Sequence, residues 1–437
     1  MKRMQNKIFF LLLLFACRIY PVYAAEDEEG DKGGSLRWRY QAGAEERFRY
    51  EYKRDFDFNK NNKDNGGQLF NRVRVNAKAL LSDGNSNNWM EFFIEGLAAQ
   101  EGSYKIKAAP GQEEEFDLHQ AYLNIFNVAG SHIDVKVGRQ ELKYGAGRLI
   151  MAPPWVNLIR VFDAAVMHYA DWGFYGDLLY AQTVKFNKYS FDSSYSGEAL
   201  SGAYLGYQKH NTSPLLEGYF LSWDNSRGKN DIRRYTAGAR FKATIGPGTV
   251  IDIEFPYQFG EDAGKDVRAY ALHADISKSF GSAAWRPKIG FSYDQASGNK
   301  KSNGSRNNTF IPLYQNTHDP YGLMDFFRWE NMRNPEVSVT FFPTEKFSFR
   351  PQVDFFWLDN VNDSWYNSSG AVIRSKPDSG KCSSYVGSEV SMRFYYDFTK
   401  KIKFELGYAH FFPGSYVRDT GSSNSADWAY SQLAIKY

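Results

Sequence analysis

The sequence predicts an all-β chain: a transmembrane antiparallel β-barrel of about 18 strands, with short periplasmic turns and long extracellular loops. Three observations predict it. Apolar and polar residues alternate with period 2 in segments of roughly ten residues, the length a tilted strand needs to cross a bilayer. The connections alternate between tight turns and long polar loops, as in bacterial outer-membrane barrels. The chain ends on Leu433, Ile435 and Tyr437, an alternating apolar strand that finishes on an aromatic.

Composition removes the alternatives. The 437 residues suffice for two or three average soluble domains or one large β-architecture. They include 35 Phe, 30 Tyr and 10 Trp, heavy for a chain with mean hydropathy −0.55. Such aromatic content excludes global disorder. Beyond the N-terminus no stretch approaches the ~20 apolar residues of a membrane-spanning helix. Two cysteines exclude a disulfide scaffold or a Cys-rich zinc site. The near balance of 53 basic and 50 acidic residues lacks the concentrated basic excess of a nucleic-acid binder.

Residues 1–24 read as a secretory signal peptide and 25–437 as the barrel domain. Lys2, Arg3 and Lys7 form a basic start, Ile8 to Ala16 an apolar run too short to span, and Val22-Tyr23-Ala24 a cleavage site. Leu14-Phe15-Ala16-Cys17 is a weaker, lipoprotein-like alternative. Loss of the leader leaves Cys382 without an intramolecular partner. It also removes Lys2, Arg3, Lys7 and Arg18 and no acid, so 49 basic residues face 50 acidic ones and the mature net charge is −1.

The strands follow in order. The first, near 38–52, alternates Phe48, Tyr50 and Tyr52 with Arg47, Arg49 and Glu51. The second, 68–80, alternates Val73, Val75, Ala77 and Ala79 with Arg72, Arg74, Asn76 and Lys78. Strands at 89–97, 116–126 and 132–140 come next. In the last of these Arg139 shares parity with Ile133, Val135 and Val137, which would turn it to lipid. Gly138 precedes it, and a strand glycine often marks a bulge. A bulge or an early strand end is therefore expected to turn Arg139 inward. Strands at 160–169, 174–184, 199–208 and 215–223 lead to 231–243, where Tyr235, Ala237, Ala239 and Phe241 alternate with Arg234, Thr236, Arg240 and Lys242. In 250–259, Ile251, Ile253, Phe255, Tyr257 and Phe259 alternate with Asp252, Glu254 and Gln258. Strands at 267–278, 285–295, 328–342 and 347–358 precede 385–397, with Val390, Met392, Phe394 and Tyr396 against Glu389, Ser391 and Arg393. The last two lie at 402–412 and 427–437.

Short connections centre on 83–86, 128–130, 170–173, 211–214, 246–248, 281–283, 343–346 and 399–401. Long ones span 53–67, 98–115, 141–159, 185–198, 296–327, 359–384 and 413–426, while 224–230 and 260–266 are only moderately longer than the turns. An even strand number puts both termini on the periplasmic side.

Placing Arg or Lys on the lipid face would cost about 2–4 kcal/mol at the midplane. The strand cations should therefore line the lumen: Arg47, Arg49, Arg72, Arg74, Lys78, Arg234, Arg240, Arg350, Arg393 and Lys403. Glu51, Glu91, Glu95, Asp252, Glu254, Asp354, Glu389 and Glu405 share those faces. An eighteen-strand barrel is wide enough for an aqueous channel. Arg47, Arg49, Arg72 and Arg74 concentrate guanidinium on neighbouring strands, and arginine's planar fork suits carboxylates.

Several stretches, in order along most of the mature chain, resemble the bacterial alginate export family. They include Asp117-Leu118-His119-Gln120-Ala121-Tyr122, Val137-Gly138-Arg139-Gln140-Glu141-Leu142 and Arg160-Val161-Phe162-Asp163-Ala164. Others are Tyr235-Thr236-Ala237-Gly238-Ala239-Arg240, Thr309-Phe310-Ile311-Pro312-Leu313-Tyr314 and Gly407-Tyr408-Ala409-His410-Phe411-Phe412-Pro413-Gly414. The resemblance implies an eighteen-stranded outer-membrane pore that works by diffusion rather than catalysis, with a positively charged constriction that conducts a polyuronate. Arg139, in the Gly-Arg-Gln motif, carries over most securely, and Asp163 and Arg240 sit in matching segments. The mixed charge of this lumen departs from that pattern. The expected permeant is an anionic or polar solute, including an acidic poly- or oligosaccharide.

Two other classes compete. An enzyme would need an acid–base constellation, but His119, His132, His168, His210, His273, His318 and His410 are scattered without metal-ligand spacing. No metal or cofactor is therefore expected. A surface adhesin would use the long loops, with Phe310, Tyr314 and Tyr321 in 296–327 as its contacts. The expected partners are outer-membrane lipid, the solute and, through the Tyr437 strand, the barrel-assembly machinery. The expected state is a monomer.

Overall fold

The computed structural model describes residues 36–437 except 63, 84–86, 107–111, 227–230, 302–303 and 376–381. The leader 1–24 and the turn residues 84–86 lie outside the described residues. Among those described, 18 long strands form the barrel. They are β1 (Leu36–Arg54), β2 (Gly66–Asp83), β3 (Asn88–Tyr104), β4 (Glu114–Ile125), β5 (Ile133–Gln140) and β6 (Phe162–Asp171). Then come β7 (Phe174–Lys185), β8 (Glu198–Tyr207), β9 (Leu215–Asn225), β10 (Ile232–Ile245), β11 (Thr249–Asp262) and β12 (Lys265–Ser279). The last six are β13 (Lys288–Ala296), β14 (Met332–Thr340), β15 (Phe347–Trp357), β16 (Tyr385–Asp397), β17 (Ile402–Pro413) and β18 (Ala426–Lys436). Each segment expected from the alternation has its strand. Neighbours pair antiparallel, and β18 returns to β1 from Glu45↔Lys436 to Arg54↔Asp427, closing the sheet. Closure leaves no unpaired edge in the hydrocarbon, where an unmet backbone group costs several kcal/mol.

The alternation is inside-out relative to a soluble protein. Along β11, Asp252, Glu254 and Gln258 are buried, while Ile253, Phe255, Tyr257 and Phe259 are 42, 48, 40 and 37% exposed. The exposed apolar face is the lipid face. Exposed Tyr50, Tyr52, Phe92, Tyr169, Phe174 and Tyr408 extend it around the barrel.

Two loops narrow the lumen. Residues 141–161, between β5 and β6, and 309–331, between β13 and β14, fold inward. Their tips join by a parallel bridge at Ile150↔Tyr314, reinforced by Met151 N–H to Tyr314 O at 2.9 Å and Tyr314 N–H to Leu149 O at 2.8 Å. Ile150, Ile159, Phe310, Leu323, Trp329 and Trp365 are buried inside the barrel and give it an apolar core of its own. Phe310, Tyr314 and Tyr321, the contacts an adhesin would have used, belong to this core.

Candidate functional site: a loop-restricted lumen

Ala152-Pro153-Pro154-Trp155 has two consecutive prolines, which favour an extended backbone with free carbonyls. The strand arginines bind those carbonyls. Arg47 Nη1 donates to Pro154 O at 2.8 Å and Trp155 O at 2.7 Å. Arg72 Nη1 donates to Pro154 O at 3.0 Å and Val156 O at 2.8 Å. Arg49 donates to Trp155 O and pairs with Glu51 at 2.8 Å. Buried Asn157 donates to Gln112 O at 2.8 Å and Gln100 O at 3.1 Å. Arg47, Arg49 and Arg72 do face inward, as the alternation required. Contrary to expectation they do not line open water, because the loop covers them.

Trp155 lies under this cluster. Its ring stacks on His318 at 3.9 Å and 14°, and meets the edge of Tyr430 at 4.9 Å. His318 Nδ1 is 3.0 Å from both Asp325 oxygens.

The other lumen cations carry their own acids. Arg74 pairs with Glu95 at 2.7 Å and Glu141 at 2.8 Å. Arg240 Nη1 pairs with Glu217 at 2.7 Å and its Nη2 with Asp252 at 2.6 Å. Arg350 pairs with Glu336 at 2.7 Å, and Arg393 with Asp319 at 2.5 Å. Burial works to raise the Asp319 carboxyl, but Arg393 and Arg350 hold it below the usual range. Local spacing could not reveal one grouping: ligand atoms of Glu95, His119 and Glu141 lie within 4.8 Å of one another. Arg74 donates to both glutamates, so a fixed positive charge already occupies the place a cation would take.

Arg139 requires a correction. The β5–β6 register runs unbroken from Ile133↔Tyr169 through Arg139↔Asp163 to Gln140↔Phe162. No bulge turns Arg139, which keeps the outward parity of exposed Val137. Asp163 keeps that of exposed Met167. The strand ends one residue later, at the long-loop rim. There Arg139 Nε donates to Asp163 Oδ1 at 2.8 Å and Nη2 to Oδ2 at 3.1 Å. Segment 192–194 covers the pair, with Arg139 Nη2 to Asp192 O at 3.2 Å and Ser194 Oγ to Asp163 at 2.5 Å. Mutual neutralisation in a bidentate fork lets both charges sit on the outward face.

Segment 316–326 separates two cavities. Asn316, Asp319 and Tyr321 line one of about 470 Å3, against β12–β15. Leu323 to Phe326 line another of about 330 Å3, with Glu51, Lys53 and Trp428. Glu389 holds the septum by accepting the N–H groups of Leu323 at 2.5 Å and Met324 at 3.2 Å. Of the sequence-derived arginines, Arg350 lines the larger cavity.

The family model described as alginate export matches residues 39–431. No curated protein matches the sequence significantly. Among solved structures, Pseudomonas aeruginosa OccK5 (OpdH) is similar with TM-score 0.59 and 12% identity, covering 91% of this chain and 97% of that one. Pseudomonas aeruginosa OpdO gives TM-score 0.59 at 15% identity, with 91% and 97% coverage. Acinetobacter baumannii OccAB1 gives 0.60 at 11%, with 91% and 96%. At such identities the likeness is one of fold.

Proposed function

The chain belongs to the alginate export family and forms a bacterial outer-membrane channel, and we propose that this channel is a narrow, loop-restricted pore for polar solutes. The observation that carries the reading is the binding of Arg47 and Arg72 to the carbonyls of residues 154–156. It fixes a loop across a lumen that an eighteen-strand barrel would otherwise leave open. Leader 1–24 would deliver the chain to the periplasm, and the Tyr437 strand would hand a monomer to the assembly machinery.

Pairing of the lumen arginines with carboxylates argues for small polar solutes over strongly anionic ones. An acidic oligosaccharide, the solute suggested by the family, would have to compete with Glu336 for Arg350. The adhesin reading loses support because residues 309–331 of the long loop, with Phe310, Tyr314 and Tyr321, are spent inside the barrel. The scattered histidines favour transport over catalysis.

Purified protein in planar bilayers tests this. Stepwise conductance is expected, with weak ion preference in asymmetric salt. Intact folding by heat-modifiable gel mobility without conductance would overturn it. Strong block by uronate oligosaccharides alone would restore the anionic reading.

A further inference from the structure

The cavity of about 470 Å3 lies within the ~300–1,000 Å3 range of small-molecule sites. Its wall is cleared by short side chains: Ser277, Gly290, Ser292, Ser338 and Thr340 line it from β12, β13 and β14. Three basic residues, Arg148, Lys288 and Arg350, are opposed by Asp275, Asp294, Asp319 and Glu336, for a net charge of −1. Most of these are already spoken for. Arg350 is held by Glu336 at 2.7 Å, Arg148 by Glu254 at 2.8 Å, and Asp319 by Arg393 at 2.5 Å. A carboxylate entering here would meet two arginines each already engaged by a glutamate, in a slightly negative field.

Hydrogen-bonding capacity remains at the cavity wall. Tyr321 is 3% and His273 7% exposed, and neither Tyr321 Oη nor His273 Nε2 has a partner within the protein. The His273 ring is fixed because Asp294 engages its Nδ1 at 2.8 Å. Asn316 Oδ1 and Arg350 Nε are also unpaired. Buried polar groups without partners are costly. The serine and threonine hydroxyls both donate and accept. A ligand whose groups also do both, and which carries no charge, answers this lining best.

We propose that this cavity binds an uncharged, polyhydroxylated solute of one or two sugar rings. The proposal rests on the channel reading and narrows its substrate class from polar solutes to neutral saccharides.

Calorimetric titration of the detergent-folded full chain with glucose, maltose, sucrose and a diuronate tests it. A neutral sugar is expected to bind more tightly than the diuronate. Tyr321→Phe, which removes only a hydroxyl, should weaken that binding about tenfold. Ser338→Val, which fills the wall, should weaken it at least as much. Gel mobility verifies that both variants fold. No heat from any neutral sugar, tighter binding of the diuronate, or unchanged affinity in both variants overturns the site. Bilayer recordings separate the two readings. Conductance without sugar binding sinks the site and spares the channel. Variant-sensitive sugar binding without conductance sinks the channel and spares the site.

Discussion

The guanidinium of Arg49 lies 3.8 Å from the centroid of the Trp155 ring. A strand residue thereby clamps the tip of a loop 106 positions away. The contact joins cation–π attraction to a hydrogen bond at the same residue's carbonyl, and Arg47 repeats that bond from the same strand.

The double variant R47A/R49A should release residues 153–157 from the wall. Each hydrogen bond from a charged donor contributes about 1.5–3 kcal/mol. The released population should then rise by roughly tenfold or more per bond. Single-channel conductance and open-channel noise are expected to increase. Conductance identical to wild type would mean that the loop does not restrict the pore.

Glu389→Ala should loosen the septum between the two cavities. It removes an acceptor from two buried N–H groups, at about 2–5 kcal/mol in all. Hydrogen exchange should quicken at Leu323 and Met324, while strand amides of β16 stay protected. Equal exchange in both proteins would show that other contacts hold the segment.

Asp192 gives a pH dependence. Burial, with the like charge of Asp117 and against the Asn187 N–H, pushes its carboxyl up to about 6 from 3.8. The native state thus holds a proton that the released segment gives up. Docking of residues 186–195 is favoured below the ordinary value and weakens as pH rises from about 4 to about 6. Limited proteolysis of this segment should be slower at pH 4 than at pH 7, and Asp192→Asn should be slow at both. A pH-independent rate in the native protein would contradict the assignment.

Gly138 has φ +128°, and a Cβ there would lie 2.3 Å from Ala121 O. Gly138→Ala should cost about 1–3 kcal/mol or more and lower the temperature of the heat-modifiable transition. Gly102, where an added Cβ meets nothing within 4 Å, provides the control. Equal effects of the two alanines would remove the strain argument.

The outward Arg139–Asp163 pair makes a prediction about ion preference. Arg139→Ala should leave the reversal potential unchanged, whereas Arg350→Ala, in the cavity wall, should shift it toward cations. The Arg139–Asp163 coupling should be about 0.5–1 kcal/mol in a double-mutant cycle, since Asp163 is 31% exposed. A large shift from Arg139→Ala would put its charge back in the conduction path.

The barrel was legible because each strand reports its own environment. Ile253, Phe255, Tyr257 and Phe259 alternate with Asp252, Glu254 and Gln258 because lipid lies on one side and polar partners on the other. That pattern is local, so strand number, inward parity of Arg47, Arg72, Arg240 and Arg393, and sidedness of the loops could all be read without coordinates. Arg139 was misplaced because a charge at a strand end can be met by a cross-strand partner and a covering loop, and neither leaves a signal in the alternation.

Local alternation along the chain suffices to specify an aromatic-coated outer-membrane barrel. What the inward charges do follows from contacts between distant segments. Arg47 meets Pro154 across 107 positions, and Arg393 meets Asp319 across 74. Such pairings have no period and no spacing rule. They depend on where two loops come to rest inside the barrel, and that is set by packing of Ile150, Phe310, Leu323 and Trp329 against one another and the wall.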